Sequence, residues 1–432
     1  MADPAGHVHD VLVVGGGPSG SACAYWLADA GWDVAVVEKK EFPREKTCGD
    51  GLTPRAVRQL ADMGVEDAMA GAHRYRGLRS VAFGRTIALE WPDVPGFPRY
   101  GYTITRHDLD SLLADRAVKA GATVHQGAEA LEPLEPTGSG GSGSLGGCAG
   151  ALVRTKQGAD PIEIRARFVV VADGANSRFG RSLGTARDRD YPQGMAMRGY
   201  YRSERHDDDM IESHLDIRDA SGDVVPGYGW IFPLGDGRVN VGVGLLSTDR
   251  RWKGLNTAKL MDAFVEQAPA SWGIGPETAC GPATGGRLPM GMAVGPRVGS
   301  NTVVVGDAGG LINPFNGEGI AYGYETGRMA ASYLGEALAG GGPGALGAYE
   351  QRLDNAYGDY YRVGRAFVRL ISDPDRMRRC VSLGMHSRAF MAQLMRIMAN
   401  LMRPQTTGVA EVGFRAMVGA ADVLERMGVG RA

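Results

Sequence analysis

Residues 10–38 constrain this chain more than any other stretch. "DVLVV" is a buried-strand run, "GGGPSG" at 15–20 a glycine turn, "SACAYWLADAG" a short helix, and "DVAVVE" a second strand ending in Glu38. Gly15, Gly17 and Gly20 stand at G-x-G-x-x-G spacing, with Pro18 among them and Glu38 eighteen residues after Gly20. In a chain with 66 glycines the spacing alone is weak, but between a strand and a helix it marks a dinucleotide site. The glycines permit a tight turn and close approach of a pyrophosphate, which the free amides of the helix N-terminus face. Glu38, followed by Lys39, accepts hydrogen bonds from ribose hydroxyls and disfavours a 2'-phosphate. The alternative is a turn that serves packing alone.

Two later stretches decide which dinucleotide. "VVVADGANSR", with Asp173, and "VVVGDAGGLINPFNGEGI" resemble the second and third nucleotide signatures of FAD proteins of the aromatic-hydroxylase type. The resemblance implies that Asp307 meets the ribitol chain while Gly306 and its neighbours admit the backbone closely. After Pro314, the segment Gly317–Gly319–Ile320 leads into a helix whose N-terminus faces the flavin edge that gathers negative charge on reduction. Arg106, in "TITRHDLD", matches an arginine that contacts FAD in that superfamily; its alternative is a helix-cap partner.

The bulk numbers exclude several classes. Lys and Arg number 47 against 49 Asp and Glu, so there is no basic footprint for nucleic acid. Five scattered cysteines suit a reducing, cytosolic setting rather than a disulfide framework. No apolar run is long enough to cross a membrane, and the N-terminus lacks the pattern of a signal peptide. The eight histidines show no H-E-x-x-H or comparable cluster, so no metal is implied, and no G-x-S-x-G elbow points to a hydrolase.

The expected fold is α/β. A Rossmann-like FAD-binding domain is assembled from 8–77, 101–190 and 285–345. An antiparallel-sheet substrate domain takes 78–100 with 191–284, and 346–432 forms a helical C-terminal region. The stretch "TGSGGSGSLGGCAG" at 137–150 reads as a flexible loop, which makes Cys148 a poor catalytic candidate.

"FPREKTCGDGLTPRAV" at 42–57, the FAD signatures, and "GYGWIFPLG" at 227–235 together resemble the geranylgeranyl reductase family of flavoproteins over residues 8–370. Within it the pattern is most similar to the branch that saturates one isoprene unit of a menaquinone tail. Other branches reduce geranylgeranyl lipids or geranylgeranyl diphosphate. An aromatic monooxygenase or halogenase of the same fold is the competing class. The resemblance makes Cys48 the active-site cysteine, beside a flavin that Arg44 and Gly49 also adjoin, with Tyr228, Trp230 and Phe232 as the aromatic wall. These three share one face of an extended segment because side chains alternate. Sheet core alone is the alternative for the aromatics, and a crowded turn for Cys48. Arg44 and Lys46 favour a thiolate if they face Cys48; apolar surroundings keep it a thiol.

An isolated alkene has no carbonyl to polarise it, so reduction needs hydride from reduced FAD and a proton, in a dry and well-positioned site. An external donor, NAD(P)H or a reduced carrier, must recharge the flavin, and no separate NADPH fold is visible. The stretch 377–404 mixes Arg with Met, Leu, Phe and Ile at helical spacing. It reads either as an interfacial helix of a peripheral protein on the cytoplasmic side of the membrane, drawing in a polyprenyl quinone or related prenyl lipid, or as a docked helix of a cytoplasmic protein.

Overall fold

The computed structural model describes residues 6–135, 145, 147–156, 160–248, 252, 254–403 and 407–426. Most of the Gly/Ser-rich stretch lies outside the described residues.

The first sheet has the strand order Thr123–Gln126, Val34–Glu38, Val8–Val14, Ile162–Val171, Gly150–Thr155, Ala128–Pro133, with Thr302–Val304 also on Ile162–Val171. Val14 pairs in parallel with both Val37 and Val171, and Val171 with Val304. The first three strands, Ile162–Val171 and Thr302–Val304 are parallel; the last two of the order are antiparallel. The central strands read as unbroken valine-rich runs because both faces are covered. On one face Val11, Val13 and Val36 meet the helices Pro18–Asp29, Arg106–Ala120 and Ile320–Glu336. On the other, Leu12, Val14 and Val37 meet Phe179, Leu183 and Cys148.

Cys148 corrects an expectation. It is wholly buried, its thiol donates to Gly150 O at 2.7 Å, and Asn301 brackets its backbone from both sides. The low-complexity composition hid a return to the sheet that begins at its last residues.

The second sheet runs Thr284–Pro289, Gln193–Arg202, Arg238–Leu246, Gly227–Pro233, Met210–His214, Gly77–Ala82, Arg85–Glu90. It is mixed rather than purely antiparallel: Met210–His214 pairs with Gly77–Ala82 in parallel, which the long chain between them permits. Thr284–Pro289 pairs with Gln193–Arg202 and so belongs to this sheet. Alternation sends Ile231, Val239, Val241 and Val243 to a core closed by Leu260 and Phe264 of the helix Thr257–Gln267. The opposite face of Gly227–Pro233 is left for Tyr228, Trp230 and Phe232.

The C-terminal region is helical, with a correction. Residues 377–404, read as a single helix either interfacial or docked, instead form parts of two helices, Pro374–Gly384 and Arg388–Met398. Ser387 caps the second by accepting from Phe390 N at 3.2 Å. Met391 and Met395 are buried in a cluster with Trp91, Ile211 and Leu89, to which Phe232 is also joined. Arg396 is spent on an ion pair with buried Glu411. Neither those methionines nor Arg396 is presented to a membrane. Leu383 and Phe390, 77% and 55% exposed, are the outward apolar residues of the two helices.

Candidate active site

The glycine turn after Val14 is shaped by close approach. Gly15 has φ +107°, and a Cβ there would lie 2.4 Å from Ala172 O, while one on Gly20 would lie 1.9 Å from Gly15 O. No side chain caps the helix that starts at Pro18, so its N-terminal amides remain directed at the turn. Glu38 Oε2 accepts from Gly16 N at 3.0 Å and Oε1 from Lys40 N at 3.0 Å, tying the second strand to the turn. Lys39 is exposed just beyond that strand.

Two guanidinia converge on this turn. A Cβ on Gly17 would lie 3.6 Å from Arg44 Nη2 and 3.9 Å from Arg106 Nη2. Both arginines lean on Asp110, Arg106 through two bonds of 2.6 and 2.7 Å and Arg44 at 3.1 Å. Arg106 is therefore no cap partner; Thr105 caps the helix and Arg106 is buried. Asp173, whose Cα would lie 3.1 Å from a Cβ on Gly15, accepts from Phe179 N through Oδ2, while its buried Oδ1 has no hydrogen-bond partner among the described residues. Asp307 Oδ1 stands 2.9 Å from where a Cβ on Gly319 would sit, and burial raises its pKa against the pull of Lys46 and Arg106. Gly319 precedes the helix that begins at Ile320. A glycine cradle, two cations over it and two carboxylates at its rim match the donors and acceptors of FAD, so the residues present fit that cofactor.

Cys48 follows on the same side, in a turn that rests on the aromatic row. A Cβ on Gly49 would lie 3.4 Å from Trp230 Nε1 and Phe232 Cε2, and one on Gly51 only 3.1 Å from Phe232 Cε2, so the turn sits directly on the rings. Ring centroids of Tyr228 and Trp230 are 5.8 Å apart, and those of Trp230 and Phe232 6.3 Å. Each polar tip is tied back into protein: Tyr228 Oη donates to Asn316 O at 2.7 Å and Trp230 Nε1 to Asn240 Oδ1 at 2.9 Å. Pro314 is buried at the base of the loop that carries Asn316 and Gly317, and a Cβ on Gly317 would lie 3.5 Å from Tyr228 Oη.

The sequence did not single out the groups that hold this arrangement. Asn240 Nδ2 donates to Cys48 O at 2.9 Å and to Asp50 Oδ2 at 2.8 Å. Tyr200 Oη donates to the same carboxylate oxygen at 2.6 Å. Asp50 is fully buried at φ +63°, an uncommon conformation for a residue with a side chain. Burial pushes its pKa up to about 6, against the opposing pull of Tyr200, Arg198 and Asn240. Burial and then the Asp50 charge raise the Cys48 pKa; Arg106 and Lys46 oppose weakly, so the neutral thiol is favoured. A second carboxyl, that of half-buried Glu318, accepts from Thr53 Oγ1 at 2.6 Å and leaves its buried Oε2 unpartnered. Burial pushes its pKa up to about 7. Asp50 and Glu318 lie inside motifs read for their glycines and cysteine, and nothing in sequence spacing links Asp50 to Tyr200 or Asn240.

A family model described as an FAD binding domain matches residues 8–198. The menaquinone reductase of Mycobacterium tuberculosis strain H37Rv is 41% identical over 393 residues, 91% of each chain. Digeranylgeranylglycerophospholipid reductase 1 of Methanopyrus kandleri is 30% identical, covering 85% of this chain and 91% of its own. A geranylgeranyl bacteriochlorophyll reductase-like structure from Thermoplasma acidophilum superposes with a TM-score of 0.76 at 23% identity, over 95% of this chain and 99% of that one. The two reductases match 91% and 85% of this chain, and the chain belongs to the geranylgeranyl and menaquinone reductase family of FAD-dependent oxidoreductases.

Proposed function

We propose that this reductase saturates one isoprene unit of a menaquinone tail, at the wall formed by Cys48, Tyr228, Trp230 and Phe232. The observation that carries the reading is the direction of the aromatic polar tips. With Tyr228 Oη and Trp230 Nε1 both committed to protein acceptors, the row offers a substrate no free donor; Trp230 is buried behind half-buried Tyr228 and Phe232. Ring faces suit a hydrocarbon tail and the positive charge that gathers on a trisubstituted alkene as it takes a proton. Bound FAD, once reduced, supplies the hydride. The protein's own part is to hold the alkene against the rings, exclude water, and keep a proton on Cys48 Sγ, where burial and Asp50 favour the thiol. Arg44 and Arg106 hold the pyrophosphate, Glu38 and Asp307 the hydroxyls of ribose and ribitol, and NAD(P)H or a reduced carrier recharges the flavin.

The substrate also sets the place of work. Drawing a polyprenyl tail through water costs about 0.8 kcal/mol per exposed CH₂, so the tail enters directly from a bilayer. No helix among the described residues is long and apolar enough to cross one. Leu383 and Phe390, flanked by exposed Arg378, Arg379 and Arg388, make the surface that lies on the cytoplasmic leaflet.

The test is anaerobic incubation of the reduced protein with menaquinone and, in parallel, with a digeranylgeranyl lipid. Gain of one H₂ by the quinone tail is expected. Saturation of the lipid alone would move the protein to another branch of its family.

A further inference from the structure

The second strand starts at Val34, and Asp33 just before it reaches across to the first strand. His7 Nε2 lies 2.8 Å from Asp33 Oδ2, and His9 Nδ1 lies 3.0 Å from each Asp33 oxygen. We propose that His7, His9 and Asp33 form a binding site for a divalent transition metal of the zinc class, at the N-terminal end of the nucleotide sheet.

Three features of the geometry support it. His7 and His9 flank Val8, so strand alternation sends both rings to one side. Their planes cross at 85° with centroids 4.4 Å apart, so the rings approach edge to face rather than stacking. The backbone fixes the third ligand: Val11 N donates to Asp33 O at 3.1 Å, and Asp33 N to Asp10 Oδ2 at 3.2 Å. One ligating atom from each residue lies within 4.8 Å of the others.

The donor set names the ligand class. Two imidazole nitrogens and one carboxylate oxygen suit zinc, cobalt or nickel; calcium and magnesium prefer oxygen throughout. Zinc bonds of about 2.0–2.1 Å put tetrahedral ligand atoms about 3.3 Å apart, so the two His–Asp contacts open by only a few tenths of an ångström. His7 and Asp33, with side chains 42% and 43% exposed, have room to adjust, while His9 at 4% is held by packing. Metal needs the facing nitrogens bare, so their protons move to the far ring nitrogen or leave. A fourth position stays open on the exposed side. The seven-residue strand spans about 20 Å at ~3.3 Å per residue, so the metal would clamp two strands far from the flavin cradle.

The test uses the FAD-loaded protein, stripped with a chelator and titrated with zinc by calorimetry, with bound zinc counted after dialysis. One zinc per chain is expected, with a rise in Tm. His7→Ala, at an exposed position, should weaken binding at least tenfold with flavin content and prenyl reduction unchanged; Asp33→Asn should do the same. Failure to take up zinc would overturn the site. So would uptake that survives both substitutions, since the metal would then sit elsewhere, for example on the exposed thiols of Cys280 and Cys380.

Discussion

Cys48 answers to Asp50. The carboxyl stands two residues on, and when ionised it holds the thiol proton in place. Asp50→Asn can keep both hydrogen bonds by placing its carbonyl where Oδ2 stands, with its amide at the unpartnered Oδ1 position. The fold should survive while the charge is gone. The pH midpoint for alkylation of Cys48 should move down in the variant, and an unmoved midpoint would show that Asp50 does not govern the thiol. Glu318 offers a second titration. Its folded pKa of about 7 lies above the ordinary 4.5, so the folded state binds this proton more tightly than the unfolded one. Its contribution is fully present below about pH 4.5 and is lost as pH rises to about 7. In flavin-free protein, Glu318→Gln should flatten the fall in Tm across that window; parallel wild-type and variant curves would refute the assignment.

Elements show what a sequence declares and what it withholds. The glycine turn and the alternation of "YGWIFP" are local, set by spacing within a few residues, and both were readable. The bonds that lock the Cys48 turn join residues 150 and 190 positions apart, and no periodicity reports them. Gly242 is similar. It sits mid-strand opposite Trp230, and a Cβ there would fall 2.1 Å from the indole Cζ2 and 2.6 Å from Met197 O. The glycine is the seat of the ring. Gly242→Ala should displace Trp230, costing about 1–3 kcal/mol of stability and most of the prenyl reduction, with FAD retained. Normal turnover would show that the indole is not part of the wall. The C-terminal helices were readable as helices, but Met, Leu and Arg at helical spacing fit a docked face as well as a lipid-facing one. Packing against Trp91 and Leu89 decided the matter for Met391 and Met395.

At the scale of the whole molecule, that packing divides two kinds of substitution. Leu383→Ser with Phe390→Ser should weaken sedimentation with anionic liposomes while changing stability by no more than about 0.5 kcal/mol per site. Met391→Ser should instead lower stability by roughly 2–4 kcal/mol through loss of buried volume and an added hydroxyl. If wild-type protein stays in the supernatant, the membrane surface is wrong and the reductase assignment stands.

The same molecule is sewn from distant thread. Ile162–Val171 receives its neighbour Thr302–Val304 only after five of the seven strands of the second sheet have been laid down between them, and Asp307 and Gly319 come later still. A ribosome has therefore made about two thirds of the chain before the flavin cradle has its last strand. The complete cradle is available to the cofactor only once residue 319 has been made, and until Thr302–Val304 arrives the valine-rich C-terminal end of Ile162–Val171 stands open on that edge. Such a chain should depend on chaperones when flavin is scarce, and its nascent form, not its finished one, is where an inherited weakness would show.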